Sequence, residues 1–302
     1  ISPISDKTDI KRVIFKYFEN YSNIEEATKK GKVDILSSVP GHIVDRLKWQ
    51  GFIDYKVSKT RSTVFLGMNT SDKILSDLNI RKAILHAINI PNLVQNVLRG
   101  NSLVAQGPLP PVFDIGEQSK QEKYHLQKAQ QLKEIAYQSE PLYLKFFYAD
   151  YNRARGTHLE MIERELERIN IFLEWIPFPD WDHMSAACRS DSVQLFLLAW
   201  EPDMLGDPEN FLYSLFYSTS QYNFLHYNNP LVDSLLDRAR REIKREGRNV
   251  FYREIIRQII KDTPAVFLYY PISVQAYNRR KIEYLPVDPY DIVQYNEIKL
   301  VH

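Results

Sequence analysis

A single cysteine, Cys188, stands in 302 residues. No internal disulfide can form, so the fold rests on its packed core, and the chain is compatible with a reducing or an oxidising compartment. Glycine is scarce too, at ten residues. That leaves little room for glycine-rich cradles, and no phosphate loop, dinucleotide-binding signature or nucleophile elbow occurs. Neither sign of charge dominates: 39 Lys and Arg face 38 Asp and Glu, a net +1. Phosphate binding usually leaves a basic excess, so the balance argues against nucleic acid as the main partner. The one local basic cluster, residues 238–245 (RARREIKR), reads as a solvated helix face. No apolar run approaches the ~20 residues of a membrane-spanning helix. The first residues, ISPISDKTDIKRVIF, lack the apolar core of a signal peptide. Either the protein is not exported or its true N-terminus lies outside this chain.

What is present is ordinary in bulk: 44% hydrophobic and 25% charged residues, with length for about two domains. One stretch organises the rest. Residues 193–199 (VQLFLLA) form a nearly continuous apolar run, the pattern of a strand buried on both faces. Trp200 closes it. Residues 201–207 then carry Glu201, Asp203 and Asp207 with Pro202 and Gly206, which excludes a strand or a helix interior. Asp207-Pro208 predicts a helix start, with Asp207 as N-cap and proline at the first helical position. An acidic loop therefore follows a buried strand at its C-terminal end, where open α/β sheets bind ligands. Acids beside an aromatic suit a cationic or amine-bearing ligand.

Around this stretch the pattern alternates between strand and helix. Strands are expected at 11–18, 33–36, 55–69, 142–148, 171–176 and 265–270, the first two enclosing a helix at 23–30 as a βαβ unit. Helices are expected at 41–51, from the cap Asp77 through Ile88, at 92–98, 120–137, 159–169, 181–188, 230–244 and 249–262. Residues 107–111 (GPLPP) read as a rigid extended connector. The alternation from 142 to 198 predicts a largely parallel sheet covered on both faces. No internal repeat or low-complexity segment is present.

Catalysis finds weak support. Cys188 and His183 lie five apart on one short helix, whereas a Cys/His pair normally comes from different elements. Asp180, Asp182 and His183 could be metal ligands, but the spacing suits a turn and helix cap, and no complementary ligand pattern appears.

Five stretches in order carry a resemblance. Residues 31–36 (GKVDIL), 65–92 (FLGMNTSDKILSDLNIRKAILHAINIPN), 199–211 (AWEPDMLGDPENF), 226–236 (HYNNPLVDSLL) and 248–270 resemble motifs of the extracellular solute-binding proteins of peptide ABC importers, the oligopeptide- and dipeptide-binding family. The resemblance covers nearly the whole chain. It implies an α/β, periplasmic-binding-protein-like (type II) fold with two lobes that close on a peptide, the first lobe incomplete here. Residues 1–63 and 273–302 would belong to the first lobe, residues 64–272 would form the second, and the crossings near 59–69 and 264–277 would be the hinge. In that family the carboxylate three residues after the motif tryptophan binds the peptide's α-amino group. The resemblance thus implies Asp203 after Trp200 as the anchor, Trp181 as a pocket tryptophan, and Arg189 as a partner for a ligand carboxylate. Asp207 matches a structural acid at a helix start. Two departures stand out: the spacing from Trp181 to Arg189 is one residue longer than the family's, and Leu197 occupies a position where some members carry a second arginine.

The expectation is a binding protein without catalysis or cofactor. It would be a monomer that captures a small peptide for an ABC permease, periplasmic or membrane-anchored outside the cytoplasm. Relatives that bind nickel chelates, haem or sugars make those the alternative ligands. A hydrolase using Cys188 or the acidic loop is the rival class, and a receptor that signals rather than transports is the third.

Overall fold

The computed structural model describes residues 10–37, 39, 41–149, 156–190, 192–201, 207–288 and 292–301. Its elements begin with α1 (Tyr21–Lys29), β1 (Ile35–Leu36), α2 (Gly41–Lys48), β2 (Ile53–Lys59), β3 (Thr63–Met68) and α3 (Leu78–Ala87). There follow α4 (Ile90–Asn92), running into a π-helical turn (Leu93–Val97), then β4 (Ser102–Val104), α5 (Leu126–Tyr137), β5 (Leu142–Ala149) and α6 (Gly156–Glu167). The rest comprises β6 (Ile171–Phe178), α7 (Trp181–Cys188), β7 (Leu195–Trp200), α8 (Pro208–Phe216), α9 (Pro230–Arg241), α10 (Arg245–Asp262), β8 (Ala265–Asn278), β9 (Ile282–Tyr284) and β10 (Lys299–Leu300). The chain forms two compact units, one of Ile1–Thr60 with Pro271–His302, the other Arg61–Tyr270.

In the unit Arg61–Tyr270 the strand order is β8-β3-β7-β5-β6. β6, β5 and β7 run parallel, and β3 is antiparallel to both β7 and β8. The parallel expectation therefore holds from 142 to 198, and the sheet as a whole is mixed. Strand alternation decides the two faces. Leu195 and Leu197 join Val64, Leu66 and the α3 residues Ile80 and Ile84 in one core, whereas Phe196 and Leu198 join Phe65, Phe211, Leu215 and Tyr252 in the other. Gly67 is required in β3, because a Cβ there would lie 2.2 Å from the Phe196 ring. Trp200 packs on the Phe196 face.

Local signals place the helix starts. Asp77, Asp180, Asp207 and Asn229 each cap a helix by accepting a backbone N–H from its first turn. Polar side chains also lock distant segments. The buried Arg81 donates to the carbonyls of Leu75, Ser76, Asp262 and Thr263 at 2.7–3.1 Å, which satisfies the end of α10, where Thr263 turns left-handed with φ +49°. Asp262 in turn accepts from Tyr227 Oη at 2.6 Å and Asn229 Nδ2 at 2.7 Å. The HYNNP and DTP stretches thus meet as a scaffold.

The other unit is built on the second half of β8. β2 pairs with it antiparallel from Ile53↔Asn278 to Lys59↔Ile272, and β1 pairs antiparallel through Ile35↔Tyr277. Its core holds Leu36, Ile43, Val44, Leu47 and Val274. A cavity of about 780 Å³ is lined by residues of this unit only, none of them a candidate ligand contact.

Several expectations are corrected. Residues 11–18 form no strand: Phe15 and Tyr17 are 79% and 91% exposed, and no described residue pairs with this backbone in a ladder. Alternation makes a segment fit for a strand, but a strand also needs a neighbour. No βαβ unit surrounds α1, since β1 is antiparallel to its partner. The expected strand 55–69 is two strands, broken at 60–62, where the chain passes from one unit to the other. β8 extends eight residues beyond the expected 270, since its second half serves β1 and β2. The helix at 120–137 begins only at Leu126. The Gln121 side-chain amide instead donates to the Phe267 carbonyl at 2.5 Å and accepts the Phe267 N–H at 3.1 Å.

Candidate functional site

The expected site residues all fall in the unit Arg61–Tyr270. Trp200 ends β7 opposite Thr63 in the β3 ladder. The segment after it starts at Glu201, whose carboxylate lies 3.8 Å from the guanidinium of the buried Arg61. The segment ends at Asp207, which is fully engaged in structure. One carboxylate oxygen accepts from the Glu209 N–H at 2.9 Å and the Tyr252 hydroxyl at 2.6 Å. The other accepts from Arg248 Nε at 3.0 Å and pairs with its Nη2 at 2.9 Å. Tyr252 is buried, and burial followed by the adjacent carboxylate pushes its pKa up, so it stays a donor. Asp203 lies outside the described residues.

Trp181, at the first turn of α7, is 36% exposed. Arg189 follows the last residue of the same helix and is exposed. A loop absent from the expectations joins both to Trp200. In residues 221–224 (QYNF), the Gln221 carbonyl accepts from Arg189 Nε at 3.4 Å. The Tyr222 ring lies 5.3 Å from the Trp200 ring. The Phe224 ring lies 6.0 Å from Trp181, edge to face. Tyr222 and Phe224 also meet edge to face at 6.3 Å. A continuous aromatic run, Trp200-Tyr222-Phe224-Trp181, results. Beside it a cavity of about 440 Å³ is lined by Arg189, Ser218, Gln221, Asn223 and His226 among others. The indole Nε1 of Trp200 is shielded from solvent without a hydrogen-bond partner among the described residues.

The signal for this loop was available as composition: Tyr217, Tyr222, Phe224 and Tyr227 crowd a stretch with no helical or strand period. Arg61 gave no such signal, because only the β3–β7 pairing brings it near Glu201.

The cysteine of the hydrolase alternative is buried. Cys188 is 1% exposed, and burial pushes its thiol up to about 12. Alkylation of the folded protein by iodoacetamide at pH 8 is expected to be roughly a hundredfold slower than of the urea-unfolded protein. Equal rates in both states would restore a reactive thiolate. Asp180 caps α7 through the His183 N–H at 2.9 Å and holds His183 Nδ1 at 2.7 Å. Among the described residues, no group of three or more His, Cys, Asp or Glu side chains is arranged to hold a metal. No described helix is long and apolar enough to cross a membrane.

The glutathione-binding protein GsiB of Pectobacterium atrosepticum is 24% identical over 247 residues, covering 78% of this chain and 47% of that protein. The periplasmic oligopeptide-binding protein OppA of Escherichia coli is 22% identical over 299 residues, 94% of this chain and 54% of that protein. The chain spans about half the length of the curated relatives it matches. Among solved structures, the ABC transporter-associated periplasmic binding protein DppA from Helicobacter pylori, in complex with the peptide STSA, superposes with a TM-score of 0.79 at 23% identity. The superposition covers 94% of this chain and 56% of that one. These likenesses show an α/β fold of the type II periplasmic binding proteins. The sequence profile described as "Bacterial extracellular solute-binding proteins, family 5 Middle" matches residues 5–223. With that profile spanning most of its length, the chain belongs to the bacterial extracellular solute-binding proteins of family 5.

Proposed function

We propose that the protein is the substrate-binding component of an ABC importer, capturing peptides between two lobes and delivering them to a membrane permease. Residues 64–272 would be the second lobe, residues 1–63 and 273–302 part of the first, and the crossings near 59–69 and 264–277, within which the chain passes between its two units, the hinge. The protein would act as a monomer outside the cytoplasm, free in the periplasm or membrane-anchored, without catalysis or cofactor.

One observation carries the reading. The family profile covers residues 5–223, and by the resemblance Asp203, three residues after Trp200, would take the ligand's ammonium group, while Glu201 faces Arg61 and Asp207 caps α8. An ammonium buried in a closed cleft needs such a paired charge to offset its desolvation. Trp200, which ends β7, would offer an aromatic face to the same cation. Trp181 and Arg189, joined to Trp200 by the loop 221–224, extend the surface toward the rest of a short peptide, with Arg189 suited to a terminal carboxylate through two parallel hydrogen bonds.

The test is mass spectrometry of small molecules released by denaturing the complete protein purified from its own cells. Short peptides at near-stoichiometric amounts are expected. A copurifying nickel chelate, haem or sugar in their place would overturn the peptide reading.

A further inference from the structure

The geometry points to residues 221–224 as the loop that sets ligand selectivity, with Tyr222 as the specificity-determining residue and Asn223 as the residue that positions it. The ligand class is a peptide bearing an aromatic or bulky apolar side chain. This inference rests on the peptide-binding reading above and names the part of the ligand that the aromatic surface takes.

Three independent contacts support the role of the loop. Its four residues reach Arg189 through a backbone carbonyl, Trp200 through the Tyr222 ring, and Trp181 through the Phe224 ring. A shift of this loop would therefore disturb every described candidate contact together. The two rings differ in exposure. Phe224 is buried and anchors the loop in the core, whereas Tyr222 is only half-buried, its ring against those of both Trp200 and Phe224. A partly open pair of large rings forms a wall against which a flat or branched apolar group packs in offset or edge-to-face fashion. A ligand methyl group covers too little of such a wall to gain much, because apolar stabilisation scales with the area removed from water.

Asn223 explains why the wall stays in place. Its buried side chain donates to the carbonyls of Tyr217, Ser218 and Tyr227, the last at 2.8 Å, and accepts the Tyr227 N–H at 3.1 Å. Both ends of the 217–227 turn are thereby pinned by one amide. Asp cannot reproduce this, because a carboxylate has no N–H to donate. The preceding Ser220 is also fixed, its hydroxyl donating to the Ser214 carbonyl at 2.7 Å. The turn thus holds Tyr222 against Trp200 before any ligand arrives, and preorganisation lowers the ordering cost of binding.

Calorimetry on the complete protein, with the ligand removed, tests this using the tripeptides Phe-Ala-Ala, Ala-Phe-Ala and Ala-Ala-Ala. The wild type is expected to favour one Phe-containing peptide over Ala-Ala-Ala by roughly tenfold or more. Tyr222→Ala is expected to reduce that preference to about threefold or less, and Tyr222→Phe to keep it. Near-ultraviolet circular dichroism gives a readout free of ligand: the tryptophan band is expected to change in Tyr222→Ala and to be retained in Tyr222→Phe. An unchanged Phe preference in Tyr222→Ala overturns the inference while leaving peptide binding intact. Wild type that binds none of the three peptides overturns the peptide reading itself, and the selectivity assigned here falls with it. For Asn223, Asn223→Asp is expected to shift the tryptophan band and lower the Phe preference together; loss of stability with both retained would overturn its positioning role.

Discussion

Replacing Asp203 by asparagine in the complete protein is expected to weaken peptide binding by roughly 30-fold to several thousand-fold. Removing one partner of a buried, hydrogen-bonded charge pair costs ~2–5 kcal/mol, at ~1.4 kcal/mol per decade of affinity. Asparagine keeps the shape and removes the charge, so a ligand ammonium would remain in the cleft without its counter-ion. A destabilised variant would also bind poorly, so the melting temperature without ligand must be compared, and it is expected to change little. The discriminating arm uses an N-acetylated peptide. Acetylation removes the ammonium and is expected to cost the wild type most of its affinity, but to cost Asp203→Asn far less. Equal costs in the two proteins would show that the groups are not coupled, and Asp203 would then be a loop acid without a part in binding.

The second large effect concerns Asp207 and is one of stability. Asp207→Ala removes the N-cap of α8, worth ~0.5–2 kcal/mol. It also leaves the buried Tyr252 hydroxyl without its acceptor, a further ~1–3 kcal/mol. The Arg248 pair adds little, because both side chains are partly exposed to water. The sum is about 1.5–5 kcal/mol, which for a unit of this size lowers Tm by roughly 3–20 °C. Asp207→Asn should recover most of the loss, since an amide oxygen can still cap the helix and accept the phenol. In a Tyr252→Phe background, where no hydroxyl is left unpaired, Asp207→Ala should cost visibly less. A thermal scan showing Asp207→Ala within a degree of wild type would remove the residue from its structural role. Together these two acids, four apart in one segment, are expected to separate cleanly: one changes affinity without Tm, the other Tm first.

What could be read in the chain without coordinates was whatever short-range chemistry encodes. The caps at Asp77 and Asp207, the helix Trp181–Cys188 and the buried strand after it follow from periodicity and from side chains that bond to backbone two or three residues away. The family followed from five weak motifs kept in order, and the structural network at Asp262 joins two of them: the carboxylate that ends α10 in one holds Tyr227 and Asn229 of the other.

Tertiary structure decided the rest, and in each case because a partner far along the chain was needed. Residues 11–18 and 55–69 carry equally strand-like patterns, yet only the second has β8 beside it, and a pleated segment gains its stability from that neighbour. The length of β8 itself was invisible beyond Tyr270, because its second half is ordered by β1 and β2 rather than by any local preference. Arg61 approaches Glu201 across 140 residues only through the β3–β7 ladder. Tyr222 and Phe224 could be seen as aromatics in an aperiodic stretch, but not as a bridge from Trp200 to Trp181. That bridge depends on Asn223 tying one turn, on α7 standing beside it, and on β7 ending where it does. Sequence alone sets which residues have the chemistry to bind an ammonium, a ring or a carboxylate. Which of them stand within reach of one another is set by packing, since contacts between distant segments have no local signature.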